Sequence, residues 1–221
     1  MSEIIFFDIE ADKTPSDIGA VSSNNKELHD SSKSAFSAFI QGAEYLCGHN
    51  IFEHDLKYVT DAIAHSQIQR FIDTLYWSPL LFPSKPYHKI GKQYKIVSED
   101  DPNNPVLDAK LTRDLFFDEI STFNKLDKLL KSIYYCLLYD KKEFKDFFEY
   151  IGFAIKKPTL LGRIFNQSNP KTDCVEYIKE YFDGKICENA NLAKFIEETI
   201  VNNAVAFAGK EGTQHIIPFT V

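Results

Sequence analysis

No apolar run in this sequence approaches the roughly 18 to 20 residues needed to cross a bilayer, so a membrane-spanning helix is not expected. The first residues lack a basic stretch followed by an apolar one, which argues against a secretory leader, and a soluble cytoplasmic protein is the expectation. Cysteine is scarce: Cys47, Cys136, Cys174 and Cys187 lie far apart with no Cys-x-x-Cys pair. That spacing offers neither a disulfide framework nor a zinc site, and buried thiols are expected. Internal repeats and low-complexity segments are absent. Positive charge is in deficit, with 25 Lys and Arg against 32 Asp and Glu and a formal net charge of −7. A generic polyanion binder would carry the opposite sign. Acids that ligate divalent cations would make that count misleading, and local basic patches would then decide what binds.

What is present suffices for a full core: 221 residues, 44% of them hydrophobic, enough for one large domain or a domain with an appendage. The organising stretch is Ile4-Ile5-Phe6-Phe7-Asp8-Ile9-Glu10. Its apolar residues suit a central strand, and alternation along a strand points Asp8 and Glu10 the same way. Two acids side by side repel and raise at least one pKa, so the pattern makes most sense if a divalent cation joins them. The plainer alternative is a strand leaving the core to meet water.

Along the chain, Ile18-Gly19-Ala20-Val21 reads as a second strand and the region near Leu28 as a weak third, together an antiparallel meander. Ser31 to Gln41 reads as a helix with serine caps. Glu44 to Gly48 is a strand, followed by a helix of about twelve residues with Phe52, Leu56, Val59 and Ile63 on one face and Asp55 in its early turns. Phe71 to Leu75 is a fifth strand. Residues 84 to 105 read as a loop, or a loop with a short helix. Asn103-Asn104-Pro105 then signals a helix start and puts Asp108 in or near the first turn, where the macrodipole tolerates negative charge. This order predicts an α/β domain with a mixed sheet over residues 1–118. The leucine and phenylalanine spacing beyond predicts an all-helical appendage over 119–221. The apolar end, Ile216 to Val221, hints that the native chain continues.

Phe-Asp-Ile-Glu-Ala at 7–11, Gly-His-Asn-x4-Asp at 48–55, Ile-Asp-Thr-Leu at 72–75 and Asp-Ala-Lys-Leu at 108–111 together resemble the DEDD 3′-to-5′ exonucleases. The resemblance covers roughly residues 3 to 118. It implies a ribonuclease H-like fold, a mixed five-stranded sheet flanked by helices, and two-metal phosphodiester hydrolysis with two Mg²⁺ or Mn²⁺ ions. Asp8 would bridge both ions, Glu10 and Asp108 would hold the ion bearing the attacking water, and Asp55 would act on the second ion, mostly through water. Two hard cations can activate a water and stabilise a leaving oxygen. One departure is plain. Members with a histidine base carry it five residues before the last aspartate and members with a tyrosine base four before, and here Asn103 and Asn104 stand there.

His88, on the segment leading to Asp108, is the first candidate substitute for the base, with His54 beside Asp55 the second; imidazoles titrate in the useful range. Asn50 either contacts a terminal nucleotide or caps the helix bearing Asp55. Asp73 is expected to fix a turn rather than bind metal. Lys85, Lys89, Lys92 and Lys95, with Tyr87 and Tyr94 between them, would put lysines near one face of a helix, where they could meet phosphates while the aromatics stack on bases. The expected partner is nucleic acid, single-stranded DNA first. A looser likeness to the exonuclease-type segment preceding the motor of some bacterial RecQ-type helicases implies a linked or associated helicase. Trimming of short RNA and a catalytically silent nuclease-like module, binding nucleic acid or a partner protein, are the alternatives.

Overall fold

The computed structural model describes residues 3–11, 17–90, 104–155 and 177–202. It divides the chain into two compact units, residues 1–77 with 89–120, and residues 78–88 with 121–221. The segment 78–88, which chain order alone would put with the sheet, groups with the residues from 121 onward.

The first unit is α/β. Five strands, β1 (Ile4–Glu10), β2 (Asp17–Ser22), β3 (Glu27–Asp30), β4 (Tyr45–Gly48) and β5 (Arg70–Asp73), lie in the order β3-β2-β1-β4-β5. β2 runs antiparallel to β1 and β3, and β4 runs parallel to β1 and β5. β1 is therefore central, as its run of Ile and Phe predicts. Ile5, Phe7 and Ile9 enter a core with Phe36 of α1 (Lys33–Phe39) and Val59 and Ala62 of α2 (Leu56–Ala64). Burial of each of the Ile, Phe and Val side chains among them contributes about 1.5–3 kcal/mol. Ile4 and Phe6 face the other way, where the Phe6 ring lies 5.5 Å from Phe116 of α4 (Pro105–Lys125). Asp8 and Glu10 continue that second face to the strand end.

Two helix starts follow local chemistry that the sequence displays. Ser32 caps α1 by accepting from Ala35 N, and Asn104 caps α4 by accepting from Val106 N at 3.0 Å and Leu107 N at 3.2 Å. A third departs from expectation. β5 ends at Asp73 and Thr74–Leu81 forms helix α3, with Pro79 inside it. Proline reads as a helix breaker, but Asp73 starts this helix by accepting from Leu75 N at 3.0 Å. α2 is also shorter than expected, since the chain turns through residues 51–55 before the helix begins.

In the second unit every regular element described from residue 126 onward is helical: α5 (Lys128–Leu138), α6 (Lys145–Tyr150), residues 177–182, and α7 (Ala190–Ile196) running into a π-helical turn, Glu197–Asn202. Asp127 caps α5 through two amides at 2.9 Å. Phe123 packs edge-on against Phe147 and Phe148, and the buried Tyr134 hydroxyl donates to Leu80 O. Cys47 and Cys136 are buried thiols and Cys187 is half-buried; Cys174 lies outside the described residues. Among the described residues no helix is long and apolar enough to cross a membrane.

Gly19 decides where α4 begins. It is the cross-strand partner of Asp8, so a side chain there would rise on the same face as the Asp8 carboxylate. A Cβ at Gly19 would fall on the backbone of Pro105 and Val106. The first turn of α4 thus occupies the space a side chain would take. Lys110 to Glu27, at 2.7 Å, and Arg113 to Asn25, at 2.6 Å, tie the helix to the β2–β3 hairpin; exposed contacts of this kind contribute about 0–1 kcal/mol and orient more than they hold. Gly19→Ala should destabilise the protein by about 3 kcal/mol, since the backbone it meets cannot swing aside as a side chain would. Urea unfolding would check this, and a change within error would show that α4 seats elsewhere.

Candidate metal centre

Asp8 and Glu10 stand half-buried on one face at the end of β1. Asp108 stands half-buried in the first turn of α4, one turn beyond the backbone that lies on Gly19. The three residues each offer a carboxylate oxygen within 4.8 Å of the others. The donor set is three hard oxygens with no imidazole or thiolate. It fits magnesium or manganese, which take carboxylates, waters and substrate phosphate, and does not fit a structural zinc. Like charges at this separation repel, and a cation held between them would offset that repulsion.

Asp55, the fourth acid of the expected set, is brought to the same strand without joining the cluster. It lies at the N-cap position of α2, 1% exposed, with Oδ1 accepting from Ile9 N at 3.2 Å. Burial pushes its pKa up to about 6. The half-exposed His54 ring contacts the same oxygen through Nδ1 at 3.2 Å and packs on Tyr58.

The turn between β4 and α2 is clamped from β5. Asp73, wholly buried, accepts from Asn50 N at 2.7 Å and Phe52 N at 3.2 Å as well as from Leu75 N. It fixes a turn, as its sequence setting predicts. Asn50 adopts φ 69°, a left-handed conformation that asparagine tolerates, and its carbonyl accepts from His54 N. Since α2 begins at Leu56, Asn50 does not cap it. His49 Nδ1 meets Thr74 Oγ1 at 2.9 Å, and that hydroxyl donates to Gly48 O. A Cβ at Gly48 would lie 2.9 Å from Phe7 O and collide with Ile51, so only glycine lets the turn close.

Asn104 caps a helix as its setting predicts, His88 is buried, and the helical lysine face is corrected. Asn104, at the place of a tyrosine base, has its side-chain oxygen engaged in capping α4; Asn103 lies outside the described residues. His88 belongs to the second unit and is 8% exposed, with Nδ1 against Ser78 Oγ at 2.7 Å and Nε2 without a partner among the described residues. Burial lowers its pKa to about 4, far from the neutral range a poised base occupies. Lys85 and Lys89 do not share a helix face, because residues 82–90 are turns and extended chain. Lys85 Nζ lies 4.2 Å over the Phe82 ring, while Lys89 and Tyr87 are exposed. Lys92, Lys95 and Tyr94 lie outside the described residues.

The sequence reading missed Gly19, whose only signal is a glycine where a strand prefers a β-branched residue. It also missed Glu119, wholly buried about three turns beyond Asp108 on α4. Burial, with the charges of Glu119 and Asp73, pushes the Cys47 thiol well above its ordinary pKa. No protein-family model, curated protein or solved structure matches this chain.

The clamp at Asp73 has a pH signature. Three amide donors favour its ionised form, but loss of hydration outweighs them, and with a smaller push from Asp55 its pKa rises from 3.8 to about 6. The folded state then binds a proton that the unfolded chain has released between pH 3.8 and 6. This group's contribution to stability is thus fully present below pH 3.8 and is lost as pH rises through 6. It is worth up to about 3 kcal/mol. In urea unfolding from pH 4 to 6, Asp73→Asn should shed this rise toward low pH; identical pH slopes in the two proteins would contradict the assignment.

Proposed function

We propose that this protein is a metal-dependent 3′-to-5′ exonuclease that hydrolyses phosphodiester bonds at single-stranded or frayed DNA ends. The observation that carries the reading is the convergence of Asp8, Glu10 and Asp108 to within 4.8 Å. Asp108 is remote in sequence from Asp8 and Glu10, and the three come from two elements, β1 and α4. The mixed five-stranded sheet with flanking helices, and paired acids closing its central strand, support the ribonuclease H-like fold that the motif order implies. In this reading the three carboxylates hold Mg²⁺ or Mn²⁺, which when bound supplies Lewis-acid stabilisation of phosphoryl charge and a more acidic water. The protein's own part is to fix the three oxygens and to keep them half-open to substrate.

One observation favours a second reading, a silent module of this fold that binds nucleic acid or a partner protein. Asn104 is occupied as a cap and His88 is held near pKa 4, so neither supplies the base expected at those places.

End-labelled oligonucleotide incubated with Mg²⁺ or Mn²⁺ decides between them. The exonuclease predicts a ladder that shortens from the 3′ end, falls at least ~10³-fold in Asp8→Ala and Asp108→Asn, and persists in His88→Gln. Intact substrate with retained, salt-sensitive binding would establish the silent module instead.

A further inference from the structure

The ladder between β1 and β4 stops at the pair Phe6 and Cys47, while β1 runs on to Glu10 paired with β2 through Asp17. Among the described residues the end of β1 therefore has no strand beside it on its β4 edge. The amide that faces this gap, Ile9 N–H, is the one that donates to Asp55 Oδ1. From this geometry we infer that Asp55 is a positioning residue, its carboxylate standing in for the missing β4 partner and fixing the strand end that carries Asp8 and Glu10, and is not itself a metal ligand. The inference rests on the metal-centre reading only in what it says of ligation.

The placement is built. Asp55 is 1% exposed, and the turn that delivers it is held by Asp73 through Asn50 N and Phe52 N and permitted by Gly48. The acceptor meets the backbone of the residue between the two acids, so one bond constrains both. A buried amide left without an acceptor is destabilising, and a strand end freed of that bond opens locally, spreading oxygens that must stay within a few ångströms. Asp55 also stands outside the set of carboxylates found within 4.8 Å of one another.

Asparagine keeps an oxygen that can accept from Ile9 N–H but loses the charge a ligand would need, so Asp55→Asn separates the roles. Two readouts are made on the full chain, Mn²⁺ affinity by calorimetry and hydrogen exchange at the Ile9 amide. Asp55→Asn should keep Mn²⁺ affinity within about threefold of wild type and keep the amide protected. Asp55→Ala should lose at least about tenfold in protection and bind Mn²⁺ more weakly. Loss of Mn²⁺ affinity in Asp55→Asn with Ile9 still protected would overturn the proposal in favour of ligation. Unchanged protection in Asp55→Ala would overturn it outright. If Asp55→Ala does not fold, the asparagine variant decides alone. If wild type binds no Mn²⁺, the metal reading fails while the exchange measurement still tests the strand-end bond.

Discussion

Like charges crowded at the edge of an apolar core are the constraint on which this structure turns. Asp8, Glu10 and Asp108 each offer a carboxylate oxygen within 4.8 Å of the others, a separation at which like charges repel. The chain meets that repulsion with rigid backbone. β1 is paired with β2 to its last residue and held on its other edge by Asp55, which keeps Asp8 and Glu10 together. α4 is pinned at its start by the Asn104 cap and by close packing on Gly19, so Asp108 cannot withdraw. Sites of this kind hold a destabilising arrangement because the surrounding fold over-determines it.

The supporting shell uses backbone amides more than side chains. Asp73 gathers three amides and Asp55 takes one, and both acids lie in surroundings dry enough to lift their pKa to about 6. Each is a cost in isolation. Asp55 takes the place of the ladder that β4, only four residues long, does not supply at the end of β1, and Asp73 holds the turn that delivers it. Precision at the cluster thus comes from buried carboxylates that themselves lie outside it.

Much of this was legible in the sequence because it rests on local rules. Strand alternation put Asp8 and Glu10 on one face, the Asn-Pro pair marked the start of α4, and Asp73 read as a turn residue. The features that escaped depend on what a residue meets across the fold. Gly19 carries no chemistry of its own, and its importance lies wholly in the backbone of Pro105 and Val106 above it. The start of α3 was hidden because Thr74 and Leu75 continue the apolar run of β5, and it is set by the Asp73 carboxylate accepting from Leu75 N. His88 looked like a flexible-loop imidazole, but the segment bearing it is tied down by Cys187 N to Pro83 O and Asn189 Nδ2 to Pro86 O. Burial then took its pKa away from neutrality. The same ties make residues 82–90 an irregular strap, so the even spacing of its lysines does not mean a shared helical face.

The central claim is that Asp8, Glu10 and Asp108 form one cation site whose repulsion the metal relieves. Thermal unfolding of wild type and Asp108→Asn, each with and without Mn²⁺, tests it most directly. The account predicts that Mn²⁺ raises the Tm of wild type and leaves that of Asp108→Asn unchanged. Equal Mn²⁺ shifts in both proteins, or no shift in wild type, would contradict it.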